Sequence, residues 1–97
     1  VPELTHDPEL DLLEASDICG LSCYRLYHEI RSLNLAGHQM SEPSEAMQAA
    51  YPDNTPAYWH TRIRRSDLDA FMRTERYLYL WRERSRNAGF VPGRGMV

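Results

Sequence analysis

The stretch LDLLEASDICGLSCYRLYHEIRSLNL, residues 10–35, decides the reading of this chain. Asp11 followed by Glu14 has the form of a capping box, in which each side chain satisfies the other's backbone N–H. Leu12, Ala15, Ile18 and Cys19 then recur at helical spacing and predict a helix over 12–19. Gly20 stands where that helix must end, because glycine takes the left-handed conformation without steric cost. Ser22 is placed to cap a second helix, in which Leu26, Ile30 and Leu33 recur at i, i+4 and i+7 as an apolar stripe. Tyr24, Arg25, His28 and Arg31 occupy the other face. Two short helices joined by a tight turn make a helix-turn-helix unit.

Working outward, the pattern turns to strand. Residues 35–40 read as a short strand. YWHTRIR, residues 58–64, alternates, with Trp59, Thr61 and Ile63 on one side and Tyr58, His60, Arg62 and Arg64 on the other. The two are expected to pair as a β-hairpin. Residues 41–56 intervene, with turn signals at both ends and a short helix over 44–51 capped by Ser44. Ser66 and Asp69 occupy capping positions for a helix running unbroken over 66–86. Residues 1–8 are expected to be a flexible arm and residues 87–97 a flexible tail. The fold class that results is α+β and mostly helical, one domain over 9–86.

Composition agrees with one small domain. The 97 residues are 42% hydrophobic and 26% charged, which excludes wholesale disorder. No run approaches the roughly 18 apolar residues of a membrane span. The opening VPELTHDPEL lacks the basic and apolar regions of a secretory leader, so a cytoplasmic protein without membrane contact is expected. Charge is unevenly divided. Residues 1–57 hold two arginines against ten acids, whereas residues 58–97 hold nine arginines against four. A mildly acidic chain therefore has a basic half suited to a polyanion. All eleven cations are arginine, a bias that a GC-rich genome explains as well as function does.

Residues 10–35, together with WHTRIRRSDLDAF at 59–71, resemble the excisionase and MerR-like winged helix-turn-helix domains of phages and bacteria. The resemblance lies in Gly20, Leu21 and Ser22 at the turn, in the Leu26–Tyr27 pair, and in Trp59, Arg62, Ile63 and the segment from Arg65 to Phe71. Small terminase subunits resemble the same pattern. The family usually has a tight wing, where this chain inserts residues 41–56, and often an arginine after the capping serine, where this chain has Cys23. The resemblance implies a winged helix-turn-helix whose second helix enters the major groove of double-stranded DNA, with a β-hairpin wing as second contact. Its implied function is that of an excisionase-like architectural factor in DNA recombination, working beside an integrase at the nucleoid of a bacterial host. A MerR-like transcriptional regulator and a terminase-like DNA-binding protein are the alternatives.

The expected DNA-binding residues are Cys23, Tyr24, Arg25, Tyr27, His28 and Arg31 on the second helix, with Arg62, Arg64 and Arg65 at the wing. Glu29 is expected to pair with Arg25 at i+4. The plain alternative for both groups is a solvated polar face. Trp59 reads as core. Cys19, Cys23 and His28 are not expected to make a metal site, because the resemblance implies an aliphatic core position at Cys19, and two cysteines are too few for a disulfide framework. Asp67 and Asp69 fit helix capping better than acid–base chemistry, and no glycine loop is present to cradle a phosphate. No catalytic residue, metal or cofactor is expected. In the last helix, Tyr77, Tyr79, Leu80 and Trp81 follow too closely for one stripe to bury them all. They are the expected protein interface, for self-association on DNA or for docking on a recombinase, the plain alternative being that the helix folds back over a core made thin by its short neighbours. A function of another class, a protein-interaction module using the acidic half or this aromatic cluster, is the remaining alternative.

Overall fold

The capping box forms as the spacing requires. In a computed structural model describing residues 7–90, with side chains described to Arg84, Glu14 N donates to Asp11 Oδ1 at 2.8 Å and Asp11 N donates to Glu14 Oε1 at 3.0 Å. This opens α1 (Leu12–Cys19), whose Leu12, Ala15 and Cys19 are buried. Gly20 ends it at φ 81°, its N–H bonded to Ser16 O. Ser22 Oγ accepts from Arg25 N and opens α2 (Cys23–Arg31), which buries Cys23, Leu26 and Glu29. Ile18 departs from the expected stripe and is partly exposed. Leu33 departs from it altogether. The helix stops at Arg31, and Leu33 turns out to solvent with φ 66°, leaving Leu35 to re-enter the core.

Three short strands pack against these helices: β1 (Glu9–Leu10), β2 (His38–Gln39) and β3 (Thr61–Arg64). Their order is β1-β3-β2, both pairings antiparallel, with Leu10 opposite Ile63 and His38 opposite Arg62. The β2–β3 pairing is the one expected, while β1 was not anticipated from the sequence. The alternation begins only at Thr61, where Thr61 and Ile63 are buried and Arg64 is exposed. Before it, Pro56 at the first helical turn starts α4 (Pro56–His60), because proline there lacks only an N–H the helix does not use. Tyr58 is therefore not on an outer strand face. It is buried, with Tyr27 and Tyr51 set edge-on at 5.2 Å each. Trp59 is half-buried and donates Nε1 to Tyr51 O.

Residues 41–56 contribute Met47 to the core. Ser44 Oγ accepts from Met47 N to cap α3 (Glu45–Ala50), donates to Asp11 Oδ2 at 2.6 Å, and Met47 is fully buried. The connection between β2 and β3 thus closes the base of α1.

The helix expected over 66–86 is two helices, α5 (Arg65–Phe71) and α6 (Glu75–Phe90). Thr74 makes the break: its Oγ1 donates to Phe71 O at 2.6 Å and accepts from Tyr77 N at 3.1 Å, so one hydroxyl serves both ends. Ser66 does not cap α5. Asp7 does so from outside, accepting from Ser66 N at 2.9 Å and Ser66 Oγ at 2.6 Å, while Pro8 O accepts from Arg65 N. Asp7 and Pro8, expected in a flexible arm, are tied down by these bonds, and residues 87–90, expected in the tail, continue α6. The rest of the arm and of the tail lies outside the described residues. Leu12, Leu26, Met47, Ile63 and Leu68 form the fully buried centre of this α+β, mostly helical fold.

Candidate nucleic-acid interface

The outer face of α2 is organised by its aromatics. Tyr24, 68% exposed, stacks on His28 with ring centroids 6.1 Å apart. The Arg31 guanidinium lies 5.8 Å from the Tyr27 ring centroid, and Tyr27 is steadied by its edge contact with Tyr58. Tyr24, His28 and Arg31 therefore share one solvent-facing surface, with the Arg25 side chain 40% exposed beside it. Cys23 does not belong to this surface. It is buried at the helix start, where its thiol packs in the core and cannot reach a base edge.

The opposite face of α2 carries the buried carboxylate of Glu29, with no exposed surface at all. Arg76 from α6 grips it with two parallel bonds, Nε to Oε1 at 2.9 Å and Nη2 to Oε2 at 2.8 Å. Asn34 Nδ2 donates to Oε1 at 3.0 Å, and Arg25 Nη1 stands 3.6 Å from Oε2. The hydrogen bonds from Arg76 hold the Glu29 carboxyl below its usual range. Burial opposes this, and Asn34 with the charges of Arg76 and Arg25 assists. The expected Arg25–Glu29 pair is present as the weaker partner of a stronger one. Residues 18–41 contain one carboxylate, and it is Glu29. This whole segment consequently presents no acid of its own to solvent.

The strand arginines form a second cluster with its own partners. Arg62 is engaged in the fold: Nη1 donates to Trp59 O at 2.9 Å and Thr61 O at 3.2 Å, and Nη2 to Glu42 O at 3.0 Å. It closes the end of α4, where carbonyls lack helical partners. Arg64 is 55% exposed with Nε 3.9 Å from Glu9 Oε2, and His38 Nε2 approaches the same oxygen at 3.2 Å. Arg65 is 45% exposed and bonds Asp69 at 3.1 Å.

The aromatic cluster of α6 is mostly used within the chain. Tyr77 donates its hydroxyl to Cys19 O at 2.6 Å and meets Phe71 edge-on. Leu80 is buried, which removes it from any outer interface. Trp81 lies against the Gly20 turn, where a Cβ would stand 2.5 Å from Trp81 Cζ3, and the Arg84 guanidinium lies over the ring at 4.6 Å from its centroid. Of the four expected interface residues, Tyr79 faces outward, 54% exposed beside Leu78, and Trp81 keeps 37% of its surface exposed. An open cleft of about 240 Å³ separates α6 from the start of α2, lined by Leu21, Ser22, Arg25, Leu80, Glu83 and Arg84.

Sequence reasoning missed the Arg76 grip, which spans 47 residues. The only signal was an acid at a core position of α2, which demanded a cation from somewhere. Burial pushes the Cys19 and Cys23 thiols up from their usual range. Among the described residues no group of three or more His, Cys, Asp or Glu could hold a metal ion, and no helix is long and apolar enough to cross a membrane. No family model matches the chain, and comparison with curated proteins and with solved structures finds no match.

Proposed function

We propose that this chain binds double-stranded DNA in the manner of a winged helix-turn-helix, with α2 in the major groove and the β2–β3 ladder as wing. The observation that carries the reading is the burial of Glu29 under Arg76. It clears the outer surface of residues 18–41 of acids, within an otherwise acidic half, and leaves Tyr24, His28 and Arg31 facing solvent together. The element order supports it further: two helices about a tight turn, then an antiparallel pair with β1 on the far side of β3. Arg31 and Arg25 are the groove-facing cations, and Arg64 is the wing cation with exposed surface.

Within this class the resemblance favours an excisionase-like architectural factor over a regulator or a terminase subunit, with a recombinase or a second copy as protein partner. Leu78 and Tyr79 on α6 are the surface available to that partner. The test is selection of a duplex site by the pure protein, followed by fluorescence anisotropy across a salt series. Binding that weakens steeply with salt and prefers the selected site supports the reading. Anisotropy that stays flat with every duplex at low salt overturns it.

A further inference from the structure

Leu33 combines two costs that a glycine or asparagine would avoid. At 90% exposure it is the most exposed large apolar side chain among the described residues, and it is the one non-glycine residue there with positive φ, 66°. A branched side chain in the left-handed region is strained, and such strain persists only where the surroundings enforce it.

The surroundings do enforce it. Leu33 N donates to Ile30 O at 3.0 Å, and Asn34 N and Leu35 N both donate to Glu29 O. Asn34 Nδ2 reaches the Glu29 carboxylate, Leu35 is anchored in the core, and Gly37 sits so close to Ile30 that a Cβ would lie 2.8 Å from its Cδ1. The loop after α2 is therefore a rigid mount holding one apolar side chain clear of the protein.

What flanks the tip identifies its target. Arg31, Ser32 and Asn34 are exposed on either side, and residues 30–41 contain no acid. An apolar tip among a cation and short hydrogen-bonding side chains, at the end of the proposed DNA-reading helix, suits a stacked base step whose phosphates lie alongside. We propose that Leu33 is a wedge that enters one base step at the edge of the α2 footprint, unstacks it and kinks the duplex, while Arg31 holds the adjoining phosphate. The inference rests on the DNA-binding reading above. It adds that the site favours a pyrimidine–purine step under Leu33, because those steps unstack most easily.

The experiment uses the full chain on its selected duplex, with 2-aminopurine placed at successive positions to report unstacking and with end-labelled duplexes to report bending. The wild type should raise fluorescence at one step and bend the DNA. Leu33→Gly and Leu33→Asn should bind about tenfold more weakly, comparable to one wrong base pair, with the fluorescence signal and the bend lost. Their melting temperatures should equal or exceed the wild type's, because the backbone strain is relieved, so weak binding cannot be put down to unfolding. Wild-type affinity and bending in Leu33→Gly, with 2-aminopurine silent at every position in the wild-type complex, overturns the wedge and leaves DNA binding standing. Leu33 would then be assigned to a protein contact. Failure of the wild type to bind any duplex overturns the DNA-binding reading and the wedge with it.

Discussion

Arg76 reaches from α6 to grip both carboxylate oxygens of Glu29 on α2, at 2.9 and 2.8 Å. The pair ties the last helix to the proposed reading helix, and it neutralises within the fold the one acid of residues 18–41. Arg76→Ala strands the buried carboxylate. A fully buried pair broken from one side costs about 3–5 kcal/mol. The Arg76 side chain is 41% exposed, so screening reduces this, and a loss of about 2 kcal/mol is expected in denaturant unfolding. Glu29→Gln keeps one acceptor oxygen for Arg76 and removes the buried charge, and should lose less.

The same carboxylate makes stability depend on acid. Arg76 lowers its folded pKa, so below the unfolded value near about 4.3 the unfolded chain binds more protons than the folded one. Its contribution is complete above that value and fades as pH falls through the folded pKa. Melting temperatures between pH 7 and pH 3 should therefore fall more steeply for the wild type than for Glu29→Gln. Parallel curves would mean that Glu29 does not titrate with folding.

The turn between α1 and α2 is set by Gly20 and covered by Trp81. Gly20→Ala meets two penalties, the left-handed φ of 81° and a Cβ driven into the indole, together about 2–4 kcal/mol. In a Trp81→Ala background only the backbone part remains, about 1–2 kcal/mol. A double-mutant cycle by urea unfolding should show this coupling, and additive losses would place Trp81 elsewhere.

What the sequence disclosed and what it hid divide by range. The capping box of Asp11 and Glu14, the Ser22 and Ser44 caps and the Gly20 turn were legible because their partners lie within a few residues, whereas the Ser66 cap was not, because Asp7 supplies it from outside. Tyr58 and Trp59 lie on a helical turn instead of the expected strand, because an alternating pattern does not reveal that Pro56 starts that turn, although Trp59 does pack against the core as expected. The long last helix hid its break because Thr74 has ordinary helix propensity and acts through side-chain bonds to Phe71 and Tyr77. Within the candidate site, the outer face of α2 followed from periodicity. The roles of Cys23, Arg62 and Leu80 depended on contacts with other elements and did not.

On α2, Arg31 should behave as a phosphate contact. Arg31→Ala removes a guanidinium whose partners are solvent and the Tyr27 ring, so stability should change little. Affinity for duplex DNA should fall across all sequences, and the slope of log affinity against log salt should shrink by about one. An unchanged slope would remove Arg31 from the interface.

The two strand arginines should separate cleanly, although they are two residues apart on one strand. Arg62 donates to the carbonyls of Trp59 and Thr61 at the end of α4 and to that of Glu42 in the loop before α3, so its loss unties the two segments, while Trp59 O keeps the Ser44 N–H as donor. Each such bond to a charged donor contributes about 1.5–3 kcal/mol at most, and partial exposure reduces it, so Arg62→Ala should lower the melting temperature by several degrees. Arg64 has only a 3.9 Å approach to Glu9 and is mostly in water, so Arg64→Ala should melt within a degree or two of the wild type. Its effect should appear in DNA binding instead, as weaker affinity and a salt slope smaller by about one. Circular dichroism melts and anisotropy titrations of the two variants decide it. If Arg64→Ala binds with the wild-type slope, the sheet is a support for α2 and makes no contact of its own. If Arg62→Ala melts with the wild type while the slope falls, its guanidinium leaves the carbonyls for phosphate when DNA is bound.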